Sequence, residues 1–281
     1  MRLDAHQHFW KFNPSEYSWM QPDWPIRRDF LPPDLHPLLM QTGFEGSIAV
    51  QARQSMEETD WLLDLANEQP FIKAVVGWVD LRSERVEEEL ARLASHATFA
   101  GVRHVVQDEP DDRFMDGTDF RRGIGKLTQF NLTYDLLVFA RQLSAAIRLV
   151  SCFPEQRFVL DHMGKPDIKQ GTISPWREQL IELGKHPNVM CKISGLVTEA
   201  NWHNWTKAEF QPFLEVALEA FGMSRLMFGS DWPVCLLAGS YAQVFGLVQD
   251  FLTSLSIEAK AQIFGGNAER FYLQRGGSIQ P

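Results

Sequence analysis

The chain has 281 residues, of which 44% are hydrophobic and 22% charged, and a formal net charge of −9 from 36 acidic and 27 basic side chains. That is enough for one α/β barrel of about 250 residues or for two smaller domains, while the acidic balance excludes nucleic acid as the main partner, since phosphate binding needs a basic face. No apolar run reaches the ~18 residues of a membrane helix, the opening MRLDAHQHFW has no signal-peptide character, and Cys152, Cys191 and Cys235 form no CxxC pair, so a cytoplasmic protein without disulfides or membrane contact is expected.

The first strand is predicted over residues 2–8, RLDAHQH. Residues i and i+2 of a strand share a face, so His6 and His8 project side by side and can chelate a metal or present two hydrogen-bonding groups to a ligand. Residues 9–37 break the pattern, with Trp10, Tyr17, Trp19, Trp24 and six prolines. They are too proline-rich for a helix and too aromatic for a disordered linker. An ordered loop over the pocket and a packed surface excursion are both open readings.

Strands follow at 47–51 (SIAVQ), 74–81 (AVVGWVDL), 101–106 (GVRHVV), 133–138 (TYDLLV), 157–162 (RFVLDH), 189–194 (VMCKIS) and 226–231 (LMFGSD). They are near-continuous apolar runs, as parallel strands covered on both faces should be. Helices fill the gaps. Val86, Leu90 and Leu93 mark one face after Ser83; Phe210, Phe213, Leu214, Ala217, Leu218 and Phe221 mark a second over 207–222; Val244, Leu247, Val248, Phe251 and Leu252 mark a third. Eight strand–helix alternations predict a single (β/α)8 TIM barrel spanning 1–281, with a doubly wound open sheet as runner-up. No GxGxxG or GxxxxGK[ST] supports the open sheet's usual nucleotide sites, and no GxSxG supports a serine nucleophile.

Polar groups cluster at the predicted strand ends: His6 and His8, Gln51 with Arg53 beyond it, Arg103 and His104, Tyr134, His162, Lys192, and Asp231. Asp161 and His162 alternate across their strand, so one of them is expected to face the pocket. In a barrel all these ends meet at one place, which is where active sites sit.

The segments AHQHFW, SIAVQAR, VVGWVDL, GVRHVVQDE, VLDHMGKP, CKISGLVTEA, GSDWPVCLL and GGNAERFY resemble the amidohydrolase-2 branch of the amidohydrolase superfamily, and within it the sugar-lactonase group, nearest its fuconolactone-hydrolysing members. The resemblance runs from Arg2 to about Tyr272. It implies a (β/α)8 barrel and hydrolysis of an aldonolactone (L-fuconolactone, or a relative such as L-galactono- or L-rhamnonolactone) to the open-chain acid. His6 and His8 match the family's first-strand pair, His162 its sixth-strand histidine and Asp231 its eighth-strand aspartate.

Metal-rich members carry a bridging lysine on the fourth strand and a histidine on the fifth; this chain has Arg103-His104 and Tyr134-Asp135 there. The expectation is therefore that no cofactor is required, although a single Zn or other divalent ion on His6, His8 and Asp231 is compatible with the residues. Asp231 is expected to be the general base, with His6, His8 and His162 polarising the carbonyl. Arg103, His104, Gln51, Lys192, Trp24, Trp78 and Trp232 are expected to bind the sugar. The rival readings are a Zn-dependent amidohydrolase or decarboxylase and a non-catalytic carbohydrate-binding barrel.

Overall fold

Short runs of Val, Ile, Ala and Phe set the strands of the computed structural model, which describes residues 1–274. They are β1 (Leu3–Gln7), β2 (Gly46–Val50), β3 (Ile72–Gly77), β4 (Phe99–His104), β5 (Thr133–Leu136), β6 (Phe158–Leu160), β7 (Val189–Ile193) and β8 (Leu226–Phe228). All neighbours pair in parallel, in the order β1 to β8. The predicted runs extended further at their C-terminal ends, to 81, 162 and 231 for β3, β6 and β8. There the side chains keep a strand-like composition while the backbone turns away from the ladder to build the mouth of the barrel.

Closure between β8 and β1 lies just beyond the end of β8. Asp231 N donates to His6 O at 2.8 Å, His8 N donates to Trp232 O at 2.7 Å, and Gln7 bridges Trp232 in parallel. The Asp4 carboxylate reinforces this seam, accepting from the backbone N–H of His6 and Ser230 at 3.1 and 2.9 Å and from Tyr241 Oη at 3.0 Å.

The intervening helices are α1 (Pro32–Thr42), α2 (Met56–Glu68), α3 (Val86–Ala94), α4 (Thr118–Leu127), α5 (Leu143–Cys152), α6 (Trp176–Gly184), α7 (Lys207–Phe221) and α8 (Tyr241–Phe251). Each turns an apolar stripe inward. On α3 the buried residues are Val86, Leu90 and Leu93, each contributing about 1.5–3 kcal/mol over exposure, and Glu87, Glu88 and Glu89 occupy the first turn, where the helix dipole favours negative charge. The core has two layers: strand and helix side chains interlock outside the ring, while Leu3, Ala5, Val50, Ala74, Val76, Val159, Met190 and Met227 fill its inside, with Phe271 and Tyr272 packed against them. Among the described residues no helix is long and apolar enough to cross a membrane, and the three cysteines are free.

Candidate active site

Local irregularities of backbone aim the site. The pairing of β1 with β2 slips between Asp4 and Gln7. Ala5 joins the inner layer, yet the next residue, His6, also reaches the interior, against Asp161 and Lys192. Two successive residues on one side of a strand is what a bulge produces, and bulges re-aim side chains in this way. The alternation then resumes and sends His8 inward beside His6.

At the end of β6 the chain makes one left-handed turn. His162, Met163, Gly164 and Lys165 have φ of 54°, 52°, 70° and 50°, and Lys165 N donates to His162 O at 2.9 Å. Residues three apart in such a turn lie on one side, and His162 and Lys165 both line the cavity described below. A left-handed run of non-glycine residues costs on the order of 1–2 kcal/mol per residue, so its surroundings must hold it. Trp176 Nε1 donates to Met163 O at 2.7 Å, and buried Met163 packs into the outer core. Gly195 leaves the space for the imidazole: a Cβ there would stand 2.5 Å from His162 Nδ1. Because the strand stops at Leu160, Asp161 and His162 are not simple alternates. Both join the polar cluster, Asp161 in the barrel interior and His162 at its mouth. Asp231 likewise has φ 57°.

Hydrogen-bond partners fix the ring protons. His8 Nδ1 lies 2.8 Å from Val50 O, which can only accept, so the proton sits on Nδ1 and Nε2 of the neutral ring is bare. Each His6 nitrogen has a donor-only neighbour, Arg103 Nη1 at 3.3 Å from Nε2 and Lys192 Nζ at 3.2 Å from Nδ1. The nearer carboxylate is Asp161 Oδ1, 3.3 Å from Nδ1 against 3.7 Å from Nε2 to Asp231, which favours the proton on Nδ1 and a bare Nε2. His162 N–H donates to Ser194 Oγ at 3.3 Å. Ser194 Oγ, 2.9 Å from His162 Nδ1, can donate as well as accept; with the serine proton pointing to Nδ1, Nε2–H is free to donate. Burial pushes His162 down to about 4 and His6 well below the usual imidazole range, so both are neutral at pH 7. Burial alone would raise Asp231, but His162, His8 and His6 outweigh it and hold the carboxyl below the usual range, hence ionised.

Beneath this layer lies a buried ionic cluster. Lys192 Nζ is 2.6 Å from Asp135 Oδ2 and 2.9 Å from Asp161 Oδ1. Arg103 reaches Asp161 Oδ2 at 3.1 Å, donates to Gln51 O, and approaches Gln51 Oε1 at 3.2 Å. Tyr272 Oη donates to Asp135 Oδ2 at 2.7 Å. Burial raises Asp135 to about 6 against the pull of Lys192, whereas Lys192, His6 and Arg103 together hold Asp161 well below the usual range despite its burial.

A metal ion suits the upper layer. His6 Nε2, His8 Nε2 and Asp231 Oδ1 form a triangle with sides of 3.2, 3.7 and 3.4 Å. A tetrahedral ion with bonds of about 2.0–2.1 Å spaces its ligands about 3.3–3.4 Å apart. Three lone-pair atoms facing one another call for a proton or a cation between them. Arg103 already serves the His6 corner. His6, Asp161 and His162 form a second triad, but its Asp161 is already neutralised by Arg103 and Lys192.

The model of the amidohydrolase family matches residues 3–273. The chain belongs to the amidohydrolase family. It is 43% identical to an L-fucono-1,5-lactonase of Burkholderia multivorans over 97% of this chain and 96% of the relative. An L-fucono-1,5-lactonase of Burkholderia ambifaria is 40% identical, over 96% and 95%. A crystal structure of a Burkholderia multivorans amidohydrolase with bound zinc superposes with a TM-score of 0.94 at 42% identity, covering 97% of this chain and 99% of that one.

In this amidohydrolase, His8, Arg103, His162 and Asp231 face a cavity of about 630 Å³, in the size range of small-ligand sites. Residues from 9–37 wall it: Trp10, Trp19 and Trp24, with Glu16. Other predicted residues lie elsewhere. His104 turns outward, bonded to Glu109 at 2.7 Å and stacked on Phe114, because strand alternation gives the inside to Arg103 alone. Trp78 follows it, with Nε1 3.4 Å from His104 Nδ1. Trp232 packs on Phe9 and Phe30 behind the seam. Tyr134 lies in the outer layer against Phe120 and Phe158, and Asp135 takes the inward position. Gln51 and Lys192 are fully buried and brace Arg103 and the two interior aspartates. Lys165, Glu199 and Trp202 also line the cavity; the sequence reading did not single them out, since they sit in loops where no periodicity marks them.

Proposed function

We propose that this amidohydrolase opens a sugar 1,5-lactone, L-fucono-1,5-lactone or a close stereochemical relative, to the aldonic acid. One observation carries the reading: an ionised carboxylate, the neutral imidazole of His162, His8 and a guanidinium converge on the floor of a cavity walled by tryptophans. The two Burkholderia lactonases, similar over nearly the whole chain, support the substrate class. Asp231 takes a proton from water, and the resulting hydroxide oxygen bonds to the lactone carbonyl carbon. His162 Nε2–H donates to the oxyanion, and the positive charge of Arg103, whose Nη hydrogens are held by Asp161, Gln51 and His6, stabilises it electrostatically from a position set before charge develops. The bond from the carbonyl carbon to the ring oxygen then breaks, and that oxygen takes back the proton held by Asp231. The part-exposed indoles of Trp24 and Trp202 offer flat apolar faces for the C–H side of a sugar ring. A divalent ion held by His6, His8 and Asp231 would further polarise the carbonyl.

A panel of aldono-1,5- and 1,4-lactones assayed by proton release tests the reading. Turnover should favour the fucono configuration and its nearest relatives. A chain active only on amides or aromatic carboxylates, or on none of the panel, would refute it.

The base and the oxyanion donors all come from the chain, so chelator-treated protein is expected to keep most of its activity. Metal titration should show at most one equivalent, because Arg103 and Lys192 already neutralise the second triad. Complete loss on chelation with full recovery on adding Zn would shift the carbonyl activation to the ion, as would uptake of two equivalents.

A further inference from the structure

Two charged pairs lining the cavity are unused by this chemistry, and only one of them stands open. Lys165, on the left-handed turn after β6, faces Glu199 from the loop after β7, with Nζ and Oε1 3.6 Å apart and side chains only 17% and 21% exposed. We propose that Lys165 and Glu199 are the specificity-determining residues that read the lactone's hydroxyl groups, the carboxylate accepting from one hydroxyl and the ammonium donating to its neighbour. The assignment rests on the lactonase reading and adds to it the means of telling one sugar from another.

Four observations support it. The pair is open: charge-assisted bonds close at about 2.7–2.9 Å, so a 3.6 Å separation leaves both groups with unused hydrogen-bonding capacity. By contrast, Arg53 is closed onto Glu16 at 2.6 Å, and Arg103 is engaged by Asp161 and Gln51. Both residues are held on rigid backbone, because Lys165 N bonds His162 O and Glu199 O accepts from Lys169 N at 3.0 Å, tying the two loops together. Lys165 Nζ also lies 5.2 Å from the centroid of the Phe139 ring, another cavity residue. Finally, an uncharged polyol needs a donor and an acceptor together, and a pair of zero net charge supplies both. As a stabilising contact, a partly exposed ion pair this long is worth about 0–1 kcal/mol, too little to explain the left-handed backbone that delivers Lys165. The carboxyl of Glu199 is raised by burial and by the nearby Asp231, partly offset by Lys165, as suits a group that loses water to a bound ligand.

The test is a cross of variants against single-hydroxyl changes. Glu199→Gln, Glu199→Ala and Lys165→Met are assayed with the preferred sugar lactone, its ring epimers and its single-deoxy analogues, with melting temperature as the check on folding. For lactones bearing the hydroxyl that is read, kcat/KM should fall about 10–100-fold, mainly through KM, the worth of a hydrogen bond to a charged group. For the one deoxy analogue that lacks it, the variant and wild type should agree within about twofold. Glu199→Gln, which keeps one acceptor, should lose less than Glu199→Ala. Equal losses on every lactone, losses confined to kcat, or no loss on any would overturn the assignment. Wild-type protein inactive on all sugar lactones is a different result: it refutes the substrate class, and this assignment with it.

Discussion

Asp231→Asn is expected to lower kcat by about 10²–10⁴-fold, a rise in barrier of about 3–5 kcal/mol, with the barrel still folded. The amide keeps the shape of the carboxylate, and the seam bond from the residue-231 N–H to His6 O is backbone and survives. What is lost is the ability to take a proton from water. KM should move little, because the interaction with that proton exists only on the way to the transition state. The pH profile of the wild type supplies a second check. A carboxyl held below its usual range stays ionised as pH falls, so the acid limb contributed by Asp231 should lie below the usual carboxylate pKa of about 4. Near wild-type kcat in the Asn variant would transfer the base role to an imidazole, and the acid limb would then follow a histidine.

Lys192→Met should lower stability by about 3–5 kcal/mol, a drop in Tm on the order of 10 °C. Lys192 lies between Asp135 and Asp161, all three fully buried. Methionine fills much of the volume but leaves two interior carboxylates with only Arg103 to balance them. The sign of the pH effect follows from Asp135, whose native pKa is already raised to about 6. A raised carboxyl contributes stability that is fully present below its unfolded value of about 3.9 and is lost as pH rises through the folded value. The defect in Lys192→Met should therefore shrink at pH 5 and widen at pH 8, by thermal melts at both. Lys192→Met combined with Asp135→Asn should recover much of the loss. Equal melting of Lys192→Met and wild type at pH 8 would mean that the carboxylates carry no charge in the folded protein.

The barrel was legible because each strand is a compact apolar run and each helix repeats its apolar face. The HxH pair and Asp231 stood out because they fall at strand ends, which a barrel gathers at one place. Legibility failed where the backbone left regular geometry. Period-2 alternation cannot foresee that a bulge sends both Ala5 and His6 inward, nor that four successive left-handed residues put His162 and Lys165 on one side. Only Gly164 among those four favours that conformation, so local propensity gave no sign of it. Glu199 looked like any loop acid, although an acid between Thr198 and Ala200, in a turn whose other residues Leu196 and Val197 are buried, was a usable hint. His104 and Lys192 were drawn to the pocket by their charge, whereas register and the interior aspartates decided where they went.

The seam carries a consequence for the order in which the protein is made. His6 and His8 leave the ribosome first and Asp231 more than two hundred residues later, yet the backbone bonds that shut the ring join these same residues. A nascent chain with seven strands holds the three site histidines, His6, His8 and His162, but neither the carboxylate nor the partner for β1. With Asp231 as the proposed base, hydrolysis is expected to begin only when the ring is complete, and the amide of Asp231, followed by hydrogen exchange, should report at one atom on ring closure and on assembly of the proposed centre.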